Sequence, residues 1–151
     1  MKYPTPAQVE DRKQWALAAW EQNPLCMCCG RRVARPYQPK CWLAAEVHHI
    51  AFKSRAPRRY EQRCNYLLVC ARRGNKPGCH PWLHSTSKPS PPIESVLAMK
   101  AICDPTHFDL EAWLALQPDL NPGRITLHQI NEACGELTWL HALFAERHGG
   151  E

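Results

Sequence analysis

The stretch AAEVHHIAF, Ala44 to Phe52, places two adjacent histidines, His48 and His49, in a mostly apolar run. Residues Cys41 to Phe52 are rich in β-branched and aromatic side chains and read as a strand. Successive strand residues face opposite sides, but at the frayed end of a strand two neighbouring imidazoles can still reach one cleft. Downstream, Lys53 to Arg63 is a basic loop with Pro57 as a breaker, and Tyr66-Leu67-Leu68-Val69 reads as a second strand. Cys79 to Ser85 is short, and Pro81 is tolerable only in a first helical turn.

Nine cysteines in 151 residues need an explanation. The N-terminal stretch MKYPTPAQVEDRK lacks the apolar core of a signal peptide, and no run is long enough to span a membrane. The expectation is an intracellular, cytoplasmic protein, in which metal explains cysteines better than disulfides do. Cys26-x-x-Cys29-Gly30 has the form of a zinc knuckle, a tight turn that presents two thiolates to one tetrahedral ion. Cys70 and Cys79, flanking the turn-rich insert ARRGNKPG, supply the other half. Cys26, Cys29, Cys70 and Cys79 would then hold a structural Zn²⁺. The second pair is wide for a knuckle, and Cys64 and Cys41 are the alternatives. Cys28 reads as a bystander, and Cys103 and Cys134 as small buried apolar residues.

His80 and His84 lie four apart, which on a helix puts both imidazoles on one face, suited to one metal. His80 directly follows Cys79, so a metal-fixed cysteine would anchor the start of that helix.

In chain order these signals are Cys-x2-Cys, His-His, Asn, Cys, Cys-His, His. The stretches C26-MC-C29-G, E46-V-H48-H49-I50, N65-Y-L-L-V-C70 and C79-H80-PWL-H84 together resemble the HNH endonuclease family with its ββα-metal motif. The resemblance spans Cys26 to His84. It departs from the family in the six residues that lengthen the second cysteine pair, and in His48 where many members carry Asp. It implies a small zinc-stabilised ββα-metal core, a two-stranded hairpin plus helix; with an N-terminal helix and a helical C-terminal extension read from the flanking sequence, the expected fold is α+β. It implies that His48, His80 and His84 hold a catalytic divalent ion, that His49 is the general base activating water, and that Asn65 orients the base through the backbone. An all-imidazole site is softer than the oxygen cages that suit Mg²⁺, so Mn²⁺, Co²⁺, Ni²⁺ or Zn²⁺ should bind at least as well. His107, His128, His141 and His148 read as non-catalytic.

Charge is uneven along the chain. Arg31 to Lys76 holds twelve Lys or Arg against two acids, Glu46 and Glu61, while residues 77–151 carry a net −5. Lys53, Arg55, Arg58, Arg59, Arg63, Arg72, Arg73 and Lys76 flank the histidines and are the expected DNA contacts, suited to phosphates rather than to base sequence. Before the basic window, Thr5-Pro6 is an N-cap signal for a helix running to Gln22, with Val9, Ala16, Leu17 and Trp20 recurring at helical spacing and Asn23-Pro24 ending it. After the window, residues 87–92 read as a linker. Helices are expected over Ile93 to Cys103 and over His107 to Leu116, the latter capped by Thr106. A third should follow the capping box Thr126-x-x-Gln129, with Ile130, Cys134, Leu137, His141 and Phe144 on one face.

The domain plan is thus 1–25 for the N-terminal helix, 26–86 for the nuclease core and 93–151 for the helical extension. The extension could be plain core, or a surface for a protein partner or self-association, and plain core is the default. A metal-dependent nuclease cutting DNA is the leading reading. A zinc-ribbon module that binds nucleic acid or protein without cutting is the alternative. No membrane is implied.

Overall fold

In a computed structural model the chain is described over residues 3–39, 41, 43–51, 57–73, 76–84, 91–117 and 123–149. Helix α1, Pro6–Gln22, starts where Thr5 accepts from the Gln8 amide at 3.1 Å while the Gln8 side chain accepts from the Thr5 amide at 2.9 Å. This reciprocal cap satisfies two amides that a helix end leaves unpaired. The helix buries Trp15 and Ala16, not Val9, which stays exposed. Trp20 packs against the core and donates its indole N–H to the Val33 carbonyl at 3.0 Å.

Strand β1, Ala45–His49, pairs antiparallel with β2, Tyr66–Cys70, in the register Ala45↔Cys70 to His49↔Tyr66. Every residue of β2 is buried, which is why it reads as a continuous apolar run. A second small hairpin joins β3, Arg72–Arg73, to β4, Lys76–Pro77. Helix α2, Cys79–His84, follows at once and lies against β2. Pro81 sits in its first turn, where no helical N–H is missed.

The C-terminal half is helical: α3 (Ile93–Cys103), α4 (Leu110–Leu114), α5 (Leu127–Glu136) and α6 (Thr138–Gly149). Two expectations are corrected here. Thr106 does not cap a helix; it lies in a 3-10 turn, Pro105–His107, and α4 starts later because Asp109 accepts from the Ala112 amide at 3.0 Å. The third helix starts at the capping box as expected, but Leu137 leaves helical geometry (φ −110°, ψ 33°), so Ile130 and Phe144 belong to two helices, α5 and α6.

A single cluster of buried residues runs from Trp15 to Phe144 and includes β2 and α3. At its centre is a buried polar knot. Lys100 of α3, with no exposed surface, donates to the Tyr66 carbonyl at 2.8 Å and to Asp104 at 2.7 Å. The Trp15 indole donates to the same carboxylate at 2.9 Å. Burial pushes the Asp104 carboxyl upward, but Lys100, His107 and Trp15 outweigh it and hold the group below its ordinary range. The knot ties α1, β2 and α3 together. The architecture is mixed α+β, with small two-stranded sheets and several helices. Among the described residues no helix is long and apolar enough to cross a membrane.

Candidate metal centres

The knuckle turn is shaped by its hydrogen bonds. The Cys26 amide donates to Arg31 at 2.7 Å, and the Gly30 amide to Cys26 at 2.9 Å. Gly30 takes φ 73°, and a Cβ there would meet the Leu143 side chain at 2.6 Å. The Met27 amide donates to Leu68 at 2.8 Å, which fixes the turn onto β2. Cys70 ends β2 and Cys79 begins α2, so the residues between them must leave and return.

The β3–β4 hairpin makes that return. The Gly78 amide donates to Ala71 at 2.9 Å, bringing the Cys79 amide to 3.3 Å from the Cys70 sulfur. Gly78 permits this approach, because a Cβ would lie 2.7 Å from the Cys70 carbonyl oxygen. The width of the second cysteine pair is therefore a hairpin excursion that leaves the two sulfurs together.

Cys26, Cys29, Cys70 and Cys79 bring their sulfurs within 4.8 Å of one another. The Cys29 and Cys70 sulfurs are 3.9 Å apart, near the ~3.8 Å that a tetrahedral ion with ~2.3 Å bonds imposes. Thiols packed this closely share their protons unequally. Cys29 is pulled down to about 6, mainly by its hydrogen bond with Cys26, and Cys70 is lowered by its three sulfur neighbours. Cys26 and Cys79 are pushed up by those same contacts. A divalent cation would let all four ionise together, so the donor set fits zinc. Cys64 and Cys41 lie outside the cluster, as does Cys28.

The second cluster is formed by His48, His80 and His84, whose ligand atoms also converge within 4.8 Å. His48 Nδ1 is 3.3 Å from His84 Nε2, which is 3.0 Å from His80 Nε2. Three lone pairs aimed at one point repel unless a cation or protons lie between them. His48 is driven down to about 3, first by burial and then by the neighbouring imidazoles, and His84 is lowered in the same order. Both are thus neutral donors near pH 7, the form that binds metal. Glu46 Oε2 lies 3.3 Å from His80 Nδ1. A carboxylate can only accept, so the proton belongs on Nδ1 and the His80 Nε2 lone pair faces the cluster.

His49 turns away from this cluster. β1 stays paired through His49↔Tyr66, so the strand is not frayed there and the two imidazoles keep opposite faces. The His49 Nε2 lies 2.6 Å from Glu61 Oε1, an acid only 3 % exposed. Arg12 of α1 donates to that oxygen at 2.6 Å, and the Tyr66 hydroxyl donates to Oε2 at 2.8 Å. Burial pushes Glu61 up, but the hydrogen bonds from His49 and Tyr66, with the Arg12 charge, win and hold it below its ordinary value.

Asn65 meets the base only through the backbone beside it. Its amide group donates to the Ala51 and Tyr60 carbonyls, and its oxygen accepts from the Ala51 amide and the Trp113 indole. Its own carbonyl accepts from Ile50 at 2.8 Å, one residue after His49. Asn65 therefore ties Ala51, two residues after His49, to Tyr60, which precedes Glu61.

The sequence reading missed the roles of Glu61, Glu46 and Arg12. One signal was available: Glu46 and Glu61 are the two acids of an otherwise basic window.

The expected DNA contacts divide. Arg63 is engaged by Asp11 at 2.7 and 3.1 Å, and Arg58 Nε donates to the Tyr3 carbonyl at 3.2 Å. Arg59, Arg72 and Lys76 are exposed. Lys53 and Arg55 lie outside the described residues, as does the Arg73 side chain. Of the other histidines, His107 bonds Asp104 and His128 pairs with Glu132 on the surface, while His141 is exposed. The His148 side chain lies outside the description. No known family model matches the chain, and neither a curated protein nor a solved structure does so.

Proposed function

We propose that this metal-binding protein is an HNH-type nuclease that hydrolyses DNA phosphodiester bonds, with β1, β2 and α2 as its ββα-metal core. One observation carries the reading: His48, a member of a three-imidazole cluster, and His49, an imidazole held by a carboxylate, are adjacent residues of one strand. His48, His80 and His84 would hold a divalent cation, which when bound would supply Lewis-acid stabilisation of the phosphate and the leaving oxygen. His49 does the proton chemistry. Its Nε2–H donates to Glu61, which leaves the Nδ1 lone pair to accept a proton from water. The water oxygen attacks phosphorus, the P–O3′ bond breaks, and the 3′ oxygen takes a proton from solvent. Glu61, steadied by Arg12 and Tyr66, fixes the ring and its tautomer, and Asn65 ties Ala51 to Tyr60 beside Glu61. Arg59 and Lys76 offer phosphate contacts that hold the strand without reading it.

A second reading is a zinc-ribbon-like module that binds nucleic acid or protein without cutting. The four-cysteine cluster favours it, being more buried than the histidine cluster and sufficient for a structural role. The two readings part on the adjacent histidines. In a plasmid-nicking assay across metal concentrations, His49→Ala should keep metal and DNA binding yet cut at least about a hundredfold more slowly. His48→Ala should lose metal affinity and recover part of its rate at high metal. A wild-type protein that binds DNA and never nicks it, with any divalent metal, hands the case to the binding module.

A further inference from the structure

On the face of β1 that carries His49, a groove of about 590 Å³ opens. Its floor is made of small apolar side chains, Ala45, Val47 and Ala71, and its walls include Arg12, Tyr37 and Arg72, with His49 at one end. The volume lies within the ~300–1,000 Å³ of small-ligand pockets. A floor without long side chains suits a flat ring; Arg72 brings positive charge to the lining, while the charge of Arg12 is offset by Glu61. One carboxylate, Glu46, also reaches this lining, but it is engaged by His80.

Tyr37 adds an independent sign. It has a left-handed backbone, φ 61°, which is costly for a residue with a Cβ and which glycine adopts freely. Such strain persists where the surroundings hold it and gathers at ligand sites. Here the Arg12 guanidinium lies near the Tyr37 side chain, both lining the groove, and Lys13 Nζ lies 6.0 Å from its ring centroid. The strained turn thus sets an aromatic ring on the groove wall, about half exposed.

We propose that this groove is a nucleotide subsite, which seats the nucleoside next to the scissile phosphate with its base over the alanine floor and against Tyr37. The proposal rests on the nuclease reading for its location. A phosphate reached by the His48 cluster from one face and by His49 from the other must straddle the end of β1. One neighbouring nucleotide then lies over the His49 face, where the groove begins. A base held by its flat face is bound without regard to sequence, and the strand must be single or locally opened to offer it.

The test uses the full chain in EDTA, so that no cleavage occurs, and a single-stranded DNA hexanucleotide containing 2-aminopurine. Binding should quench the fluorophore. Tyr37→Gly should remove the quench and weaken binding about tenfold, while the melting temperature holds or rises because the left-handed backbone is relieved. Ala71→Leu should fill the floor and weaken binding similarly, with zinc content unchanged. An unquenched probe, or either folded variant binding as tightly as wild type, overturns the subsite, as does failure of the wild type to bind. If Tyr37→Gly does not fold, Ala71→Leu decides. Quenching by a protein that cuts no DNA with any metal would sink the nuclease reading and leave the subsite standing.

Discussion

Glu61→Gln is the sharpest perturbation available, because it keeps shape and removes charge. Glu61 Oε1 accepts from His49 at 2.6 Å and from Arg12 at 2.6 Å, and Oε2 accepts from Tyr66 at 2.8 Å. A glutamine can still accept the first two through its oxygen. The bonds of His49 and Tyr66 each fall from a charge-assisted bond of about 2 kcal/mol to a neutral one of about 1 kcal/mol, while Arg12 keeps its charge. The glutamine amide group faces the Tyr66 hydroxyl, which must turn and accept. Stability should drop by about 2 kcal/mol, enough to measure and too little to unfold a domain of this size.

The rate should fall further than that stability loss suggests. Gln can also present its amide to His49, which forces the proton onto the wrong nitrogen. A loss of about 1.4–2.8 kcal/mol in base orientation is about tenfold to a hundredfold in kcat. Metal affinity should not change, since Glu61 touches none of the three cluster imidazoles in the described hydrogen bonds. The assay is initial nicking rate under saturating metal and substrate, beside a metal titration. A folded Glu61→Gln protein that nicks at the wild-type rate refutes the assigned role, and so does a rate fully restored by added metal.

The pH dependence of stability has a definite sign. Glu61 is held below its ordinary 4.5, so the native state gains stability above that pH and loses it as pH falls through the lowered value. In Glu61→Gln this share of the acid limb should vanish, and urea midpoints below pH 5 should converge with wild type.

Three other outcomes follow from the geometry. Gly78→Ala puts a Cβ 2.7 Å from the Cys70 carbonyl, a backbone atom that cannot swing aside; a loss of about 2–3 kcal/mol is expected, with easier zinc removal by a chelator. Lys100→Met leaves Asp104 buried without its cation and should cost about 3 kcal/mol in urea unfolding, while the nicking rate at low denaturant stays near wild type. DNA affinity should fall steeply with salt, and replacing Arg58 and Arg59 by Ala should flatten that slope by about 1 to 2; an unchanged slope would move the DNA surface elsewhere.

What was legible in the chain was local. Thr5 with Pro6, and Thr126 with Gln129, announce helix starts because cap signals are local, and both helices begin there. Both halves of the four-cysteine cluster were legible because thiols are rare and their pairing is spacing-driven. Of the histidine cluster, His80 and His84 were legible from helical spacing, whereas the place of His48 beside them was only what the resemblance implied. What failed was through-space. Arg12 meets Glu61 across 49 residues and Trp15 meets Asp104 across 89, and no spacing rule connects them. Glu61 looked like a stray acid in a basic loop. No local pattern marks Lys100, which is the most buried charge in the described residues. The split between α5 and α6 was hidden because both helices keep their apolar residues in phase.

The two candidate metal clusters are joined through α2 and β2. Cys79 and His80 are consecutive in the first turn of α2, so whatever fixes the Cys79 sulfur fixes where His80 starts. Cys79 is held to Cys70 at the end of β2, and β2 pairs with the strand that carries His48. The route from thiolates to imidazoles is short and rigid. His84 is exposed at the far end of α2, so its loss should disturb the thiolate cluster less than loss of a thiolate disturbs the imidazoles. Cys29→Ser or Cys70→Ser should therefore lose structural zinc and, with it, metal affinity at the histidine centre, since structural zinc supplies much of a small domain's folding free energy. His84→Ala should weaken the histidine centre at least tenfold and leave about one EDTA-resistant zinc per chain. Metal analysis after dialysis, followed by titration with Co²⁺ read from its absorption, separates the two sites, because thiolate and imidazole coordination differ in colour. If a folded Cys29→Ser protein binds Co²⁺ at the histidines as tightly as wild type, the clusters are independent and α2 is held by packing alone.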